Sequence, residues 1–259
     1  MKLELLSKSK ESWTVRMQSA SPEQMNTLRR IIMDEVPTMA IDDIEFKQNS
    51  GILYDEVIAL RLGLVPIKTD LKSYTLVSES KAGKGSPDTE VVMTLKAKGP
   101  KLVTAGDLKS KDPKVIPVFP DTPIVNLLEG QELELMAKAV LGQGKDHAKF
   151  QPALAWYKNT PSVTIKKQPK DPEAVSKRCP VKVFDAKGGK LTIKNESACI
   201  LCGECAEMTE GDVQVTTKDD FTFTIESFGQ LSPKEILTAA TERFTVMLDD
   251  FSQALKKAE

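Results

Sequence analysis

Histidine is nearly missing from this chain: His147 is the single copy in 259 residues. Any histidine-based triad or acid–base pair would have to use it, and no G-x-S-x-G elbow, H-E-x-x-H helix or G-x-x-x-x-G-K-[ST] loop is present. Gly83-Lys84-Gly85-Ser86 lacks the first glycine of a phosphate loop and reads as a flexible turn. His147 follows Gly142 and Gly144, which read as turn-shaping glycines with the imidazole hydrogen-bonded nearby. Asp42 and Asp43 are adjacent, so on a strand they point to opposite sides and make neither a carboxylate dyad nor a metal site. Charge of one sign is missing as well. Lysine plus arginine total 36 against 37 aspartate plus glutamate, so no basic surplus advertises nucleic-acid contact. No apolar run approaches a membrane span. Residues 1–10 alternate leucines with charges instead of building a signal-peptide core, which makes the cytoplasm the expected location and leaves no membrane contact.

Cysteine is scarce but crowded. Of the four, Cys179, Cys199, Cys202 and Cys205, three fall within one seven-residue window. Small buried hydrophobes would be scattered, and a disulfide framework belongs to secreted chains. Thiols three residues apart let one tight turn aim several sulfurs at a common centre, as soft metal ions and iron–sulfur clusters require.

The rest is ordinary globular material, 40% hydrophobic and 28% charged, enough for one large or two to three modest domains of about 150 residues. Leu3 and Leu5, then Trp13, Val15 and Met17, alternate with polar residues as a strand hairpin. Ser21, Pro22 and Gln24 spell a helix start with a capping box, and Met25, Leu28, Ile32 and Val36 recur on one face before Pro37. The other end repeats the design. Phe221, Phe223 and Ile225 alternate as a strand, Ser232, Pro233 and Glu235 form a second capping box, and Ile236, Ala240, Phe244, Met247, Leu248, Phe251 and Leu255 keep one apolar face over about 35 Å. Neither end is large enough to hold a core alone, so the terminal strands are expected to share one sheet with everything else inserted between. The long helix exposes more apolar surface than a small sheet covers, which calls for a partner helix.

Between the ends, Val91, Met93, Leu95 and Ala97, and Leu133, Leu135, Ala137 and Ala139, mark half-buried strands. Residues 55–64 read as a short helix, 78–88 as a loop, and Pro113, Pro117, Pro120 and Pro123 punctuate an extended connection. The lysines of 166–170 have no interleaved aromatic and read as a solvated linker. Asp171 and Pro172 then start a helix that delivers Cys179, and strands at 181–184 and 191–193 joined at Lys187-Gly188-Gly189 fold it back toward the triplet.

Cys199-Ile-Leu-Cys202-Gly-Glu-Cys205 is C-x2-C-x2-C, and Cys179 precedes Pro180, so both halves of a bacterial ferredoxin ligand set are present in rotated order. One triplet plus one remote C-P completes a single four-iron site, and a three-iron form results if one thiolate fails to bind. A second cluster would want a cysteine at position 209, which is Thr209. Zinc is one alternative, although its sites more often use two separated C-x2-C pairs, and free thiols or disulfides are the other.

These features resemble a family of RNA polymerase subunits that comprises the archaeal D-type chain, the bacterial alpha chain and the eukaryotic third-largest chain. The resemblance covers nearly the whole sequence. It rests on Asn26-Thr27-Leu28-Arg29-Arg30-Ile31 through Val36-Pro37-Thr38-Met39-Ala40-Ile41-Asp42, Leu53-Tyr54-Asp55-Glu56 through Arg61-Leu62-Gly63-Leu64-Val65-Pro66, the segment 142–150 with His147-Ala148-Lys149, and Ser227-Phe228-Gly229. It implies an α+β fold in which a dimerisation domain of one sheet and two helices is split between 1–40 and 213–259. A mixed β-rich domain is inserted at 41–162, and a ferredoxin-like domain, equipped with a cluster in only some members, at 163–212. Some relatives carry further cysteines there, and Thr209 stands where one could.

By the same resemblance the chain would be a non-catalytic scaffold that pairs with subunit L and recruits subunits N and P and the second-largest subunit. The catalytic magnesium would sit in the largest subunit. Carried over by position, Met25, Leu28, Arg29, Ile32, Ile236, Ala240, Phe244, Met247, Leu248 and Phe251 would meet subunit L, and Cys179, Cys199, Cys202 and Cys205 would hold one iron–sulfur cluster, four-iron or three-iron. The rival expectation is a ferredoxin-like electron-transfer subunit of an oxidoreductase. It explains the cysteines but leaves most of the chain without a redox task, and no dinucleotide fingerprint supports it.

Overall fold

The computed structural model describes residues 2–81, 83 and 85–258; Lys84 of the glycine-rich turn lies outside the described residues. Along the chain run strands β1 (Lys2–Lys8) and β2 (Ser12–Gln18), helix α1 (Pro22–Asp34), β3 (Thr38–Asn49), helix α2 (Asp55–Gly63), β4 (Glu90–Lys98), β5 (Lys101–Thr104), β6 (Lys109–Ser110), β7 (Pro123–Leu127) and β8 (Glu132–Gly142). They are followed by β9 (Ala153–Ile165), α3 (Pro172–Arg178), β10 (Phe184–Lys187), β11 (Lys190–Ile193), α4 (Glu204–Met208), β12 (Val213–Ser227) and α5 (Pro233–Ala258). Short 3-10 turns occupy Ala105–Asp107, Ala148–Phe150 and Glu196–Ala198. The class is α+β.

The chain divides into two compact units. The first draws on the N-terminal residues through Ser7, on Thr14–Met25 and on Trp156–Thr224. Its main sheet has the order β1-β2-β12-β9, so strands from both chain ends pair in one sheet as their alternation predicts. Phe221, Phe223 and Ile225 of β12 are buried. Strands β10 and β11 form a separate antiparallel pair with Phe184 opposite Ile193 and Lys187 opposite Lys190. Their turn sits at Gly188 and Gly189 with φ of 58° and 73°, the left-handed region that glycine enters without strain. The first strand begins three residues later than its apolar pattern suggests, because Lys182 takes a φ of 52° that no strand accommodates. Val163, Val175, Val183, Phe184, Leu191, Cys199 and Val213 are the buried members of the core around this hairpin. So small a core is the kind that metal ligation or disulfides usually reinforce.

The second unit comprises Lys8–Trp13, Asn26–Ala155 and Ile225–Glu259. Its four-stranded sheet has the order β3-β8-β4-β6, beside a β5-β7 pair. Alternate residues Val91, Met93, Leu95 and Ala97 of β4 and Leu133, Leu135, Ala137 and Ala139 of β8 enter one core with Met39, Ile41, Ile58 and Leu62. Each fully buried Val, Leu, Ile or Met side chain among them contributes about 1.5–3 kcal/mol relative to exposure. Helix α2 is anchored where Arg61 donates to the Ile124 carbonyl at 2.6 Å. Two loops are tied by Tyr74, whose hydroxyl donates to Asp112 at 2.7 Å, and by Lys114, whose ammonium reaches Asp70 at 2.9 Å.

Both capping boxes form. Gln24 donates its N–H to Ser21 Oγ at 3.3 Å while its own Oε1 accepts the Ser21 N–H at 3.0 Å. Glu235 and Ser232 repeat the exchange at 3.3 and 2.8 Å. At the far end of α1 the segment 142–150 supplies the cap. Gln143 donates to the Glu35 carbonyl at 2.8 Å and the Lys145 N–H to the Asp34 carbonyl at 3.1 Å, two groups that a helix end leaves unpaired. His147 Nδ1 accepts the Lys149 N–H at 3.0 Å, a turn role as expected. Gly144 stands in a turn at 144–146, as expected, and Gly142 ends β8; both also meet a packing demand that turn shape does not explain. A Cβ on Gly144 would lie 1.9 Å from the Met33 carbonyl oxygen, and one on Gly142 2.6 Å from the Phe150 ring, so both are required by close packing. Asp42 and Asp43 are exposed on β3, whose register shifts between Ile41 and Asp43, and Asp42 pairs with Lys149 at 2.7 Å.

Candidate functional site

The four cysteines lie in the first unit and line one pocket with an empty volume of about 360 Å³. Local backbone signals bring them there. Asp171 accepts the Ala174 N–H at 3.0 Å and starts α3, whose last turn places Cys179 as the C-cap residue. The 3-10 turn Glu196–Ala198 ends on Cys199. Leu201 and Gly203 then adopt φ of 61° and 77°, reversing the chain twice within the triplet and starting α4, which carries Cys205. A Cβ on Gly203 would meet nothing, so glycine is there for its conformation.

Two backbone N–H groups point at sulfur within an otherwise apolar enclosure. The Val183 N–H donates to Cys179 Sγ and the Leu201 N–H to Cys199 Sγ, both at 3.4 Å; such bonds tune iron–sulfur and zinc thiolates. Val175, Val181, Val183, Phe184 and Val215 make the walls largely apolar. Burial, followed by the neighbouring Cys199, Cys202 and Cys179 groups, pushes the Cys205 thiol above its ordinary range. Thiolates this close repel each other unless a cation sits among them, and that is the chemistry a metal core supplies. All four are free thiols, with Cys199 buried and Cys202 exposed. Among the described residues, no group of three or more His, Cys, Asp or Glu side chains is drawn together tightly enough to hold a metal ion. In donor type, in enclosure and in N–H···S bonding, the residues fit a thiolate-bound centre.

Three features in and beside the site carry no motif signal. Arg178, next to Cys179, pairs with Glu204, next to Cys205, at 2.7 Å and staples the two cysteine-bearing segments. Thr209 donates to the Cys205 carbonyl at 2.8 Å and accepts the Val213 N–H at 3.0 Å, which gives that position a structural task. Gln168, in the segment read as a solvated linker, exchanges two hydrogen bonds with the Leu191 backbone at 2.8 and 3.2 Å.

The residues assigned to a subunit contact fall into two groups. Met25, Ile32, Ile236 and Ala240 are buried within the chain itself, and Leu28 and Arg29 are half-buried. Phe244 (40% exposed), Met247 (42%), Leu248 (52%) and Phe251 (64%) are open, together with Leu255. They recur at helical spacing along the C-terminal half of α5, so one continuous apolar stripe faces outward there. Tyr54, Val57, Leu60 and Leu64 form a second exposed apolar row on and beside α2. Among the described residues, no helix is long and apolar enough to cross a membrane.

Comparison with known proteins gives these sites a context. The family described as the RNA polymerase Rpb3/RpoA insert domain matches residues 41–155, the span that holds the core of the second unit. The chain is 36% identical over 246 residues to DNA-directed RNA polymerase subunit Rpo3 of Archaeoglobus fulgidus, covering 94% of this chain and 93% of that protein. It is 35% identical over 270 residues to subunit Rpo3 of Methanosphaera stadtmanae, covering both chains fully. With the Thermococcus kodakarensis subunit it shares 38% over 238 residues, 90% of this chain and 89% of that one. On identity of this level along nearly its whole length, and on an insert-domain match at residues 41–155, the chain belongs to the Rpo3 family of archaeal DNA-directed RNA polymerase subunits.

Proposed function

We propose that this chain is a non-catalytic assembly scaffold of the polymerase. It pairs with subunit L through the exposed half of α5, with Leu28 and Arg29 of α1 contributing, and the pair then carries subunits N and P and the second-largest subunit. The observation that carries this reading is the open apolar stripe Phe244, Met247, Leu248, Phe251 and Leu255 in a chain related along its length to polymerase subunits. An exposed aliphatic and aromatic row at helical spacing suits burial against another helix. The row at Tyr54, Val57, Leu60 and Leu64 is free for the further subunits. Balanced charge argues against direct nucleic-acid contact, and a polymerase subunit works in the cytoplasm of an archaeal cell.

The second part of the proposal concerns Cys179, Cys199, Cys202 and Cys205, which hold one iron–sulfur cluster in a structural role. The triplet spacing and the remote C-P support a four-iron cluster; three-iron and zinc forms are the other outcomes of the test. When bound, the group would supply positive charge among four thiolates and link the end of α3, the loop carrying Cys199 and Cys202, and α4. The chain's residues hold it through the sulfurs, bond to two of them from the backbone and exclude water with apolar walls. The electron-transfer alternative draws no support from the relatives, which are polymerase subunits along nearly their full length.

Anaerobic co-expression with subunit L tests both parts. A one-to-one complex on a sizing column with about four irons per chain is the expected result. Two separately eluting proteins would refute the scaffold, and zinc or no metal would refute the cluster.

A further inference from the structure

The triplet's first cysteine is held from outside the ligand set. Lys158, in β9, donates from its ammonium to the Ser197 carbonyl at 2.8 Å and the Cys199 carbonyl at 3.1 Å. Glu196 accepts the Val163 N–H at 2.8 Å and pairs with Lys218 of β12 at 3.4 Å. Residues 196–199 are therefore pinned to two strands of the main sheet, and the charge of the adjoining carboxylate is already balanced by Lys218. That leaves the Lys158 ammonium with two neutral carbonyls as partners beside Cys199, the one buried cysteine of the four. A buried thiolate is the costliest of the set to charge, and a fixed cation nearby offsets that cost.

We propose that Lys158 is a positioning residue of the metal centre: it fixes the loop that presents Cys199 and raises the reduction potential of the cluster by holding a positive charge against it. The inference rests on the iron–sulfur reading above. A four-iron core of charge +2 with four thiolates carries −2, and one electron from dithionite takes it to −3, with no bond broken and no proton required. Added negative charge is tolerated better near an ammonium, so removing the ammonium shifts the couple to more negative potential.

The test is a dithionite titration, followed by electron paramagnetic resonance, of the full chain co-expressed anaerobically with subunit L, as wild type, Lys158→Arg, Lys158→Met and Lys158→Gln. Iron release to a chelator is timed in parallel. The expected result is a more negative midpoint potential in Lys158→Met and Lys158→Gln, iron release about tenfold faster in Lys158→Met, and restoration of both by Lys158→Arg. The glutamine variant keeps a neutral donor to the carbonyls, so it separates charge from placement and serves if the methionine variant yields too little protein. Variants that lose iron while the remaining cluster keeps the wild-type potential would reduce Lys158 to a purely structural contact and overturn the proposal, as would variants identical to wild type. Wild-type protein without iron would instead overturn the cluster reading and this inference with it.

Discussion

Truncating Phe251 tests the proposed use of an exposed side chain between subunits against the use of a buried one within the chain. Phe251 is 64% exposed near the end of α5. An aromatic side chain buries about 200 Å² when fully enclosed, so a partner helix removes about 130 Å² of it from water, worth about 3 kcal/mol at about 25 cal/mol per Å². Ordering losses on association take part of that, leaving about 2 kcal/mol, or about a thirtyfold rise in Kd for subunit L when Phe251→Ala is made. The isolated chain should melt within about half a kcal/mol of wild type, as exposed substitutions usually do. Ile236→Ala, on the same helix but buried in the chain itself, should do the opposite and cost about 2–5 kcal/mol of folding stability. Fluorescence-monitored titration with subunit L and thermal melts read both. An unchanged Kd for Phe251→Ala, or a melt as damaged as that of Ile236→Ala, would refute the assignment of this face to a partner.

Four further expectations follow from local geometry. Cys202→Ser should accelerate amide exchange in the span 181–209 more than in α1 or α5 if the proposed metal ligation stabilises the small core around it; equal loss everywhere would contradict this. Tyr74, raised to about 12 first by burial and then by its bond to Asp112, stays protonated in the fold while the unfolded chain ionises near 10. Its contribution is therefore complete below pH 10 and disappears between pH 10 and 12, and Tyr74→Phe should flatten that limb of a melting-temperature profile. Asp70 has the reverse sign: Lys114 and the Lys72 N–H lower it to about 2, so stability is present above about pH 4 and is lost as pH falls toward 2. Lys114→Met should shrink that acid limb. Gly144→Ala should destabilise by about 1–3 kcal/mol in urea melts because its methyl group meets the Met33 carbonyl; a neutral result would mean α1 can shift away.

Sequence alone revealed features whose causes are local. Both capping boxes, the alternation of β4 and β8 and the α3 start at Asp171 follow from neighbouring residues, and each formed as expected; the shared terminal sheet was legible only because neither end is long enough to hold a core alone. The spacing of the cysteines likewise announced their common pocket. Contacts between distant segments had no such signal. Nothing near Lys158 hints that its ammonium reaches two carbonyls about forty residues on, and Arg178 and Glu204 look like ordinary surface charges. Helical periodicity found one apolar face from Ile236 to Leu255 but could not say where the chain's own cover stops. The structure puts that limit after Ala240, which separates core residues from the open stripe. Residue type alone makes Gly142 and Gly144 look like turn formers, whereas their need for a bare Cα comes from Phe150 and Met33 packed against them.

The central claim is that a second protein covers the outer half of α5. Hydrogen–deuterium exchange of the full chain with and without subunit L measures this directly. Strong protection confined to residues 244–255 and to the part of α1 around Leu28 and Arg29 is expected on adding the partner. Tight binding with exchange in α5 unchanged would contradict it.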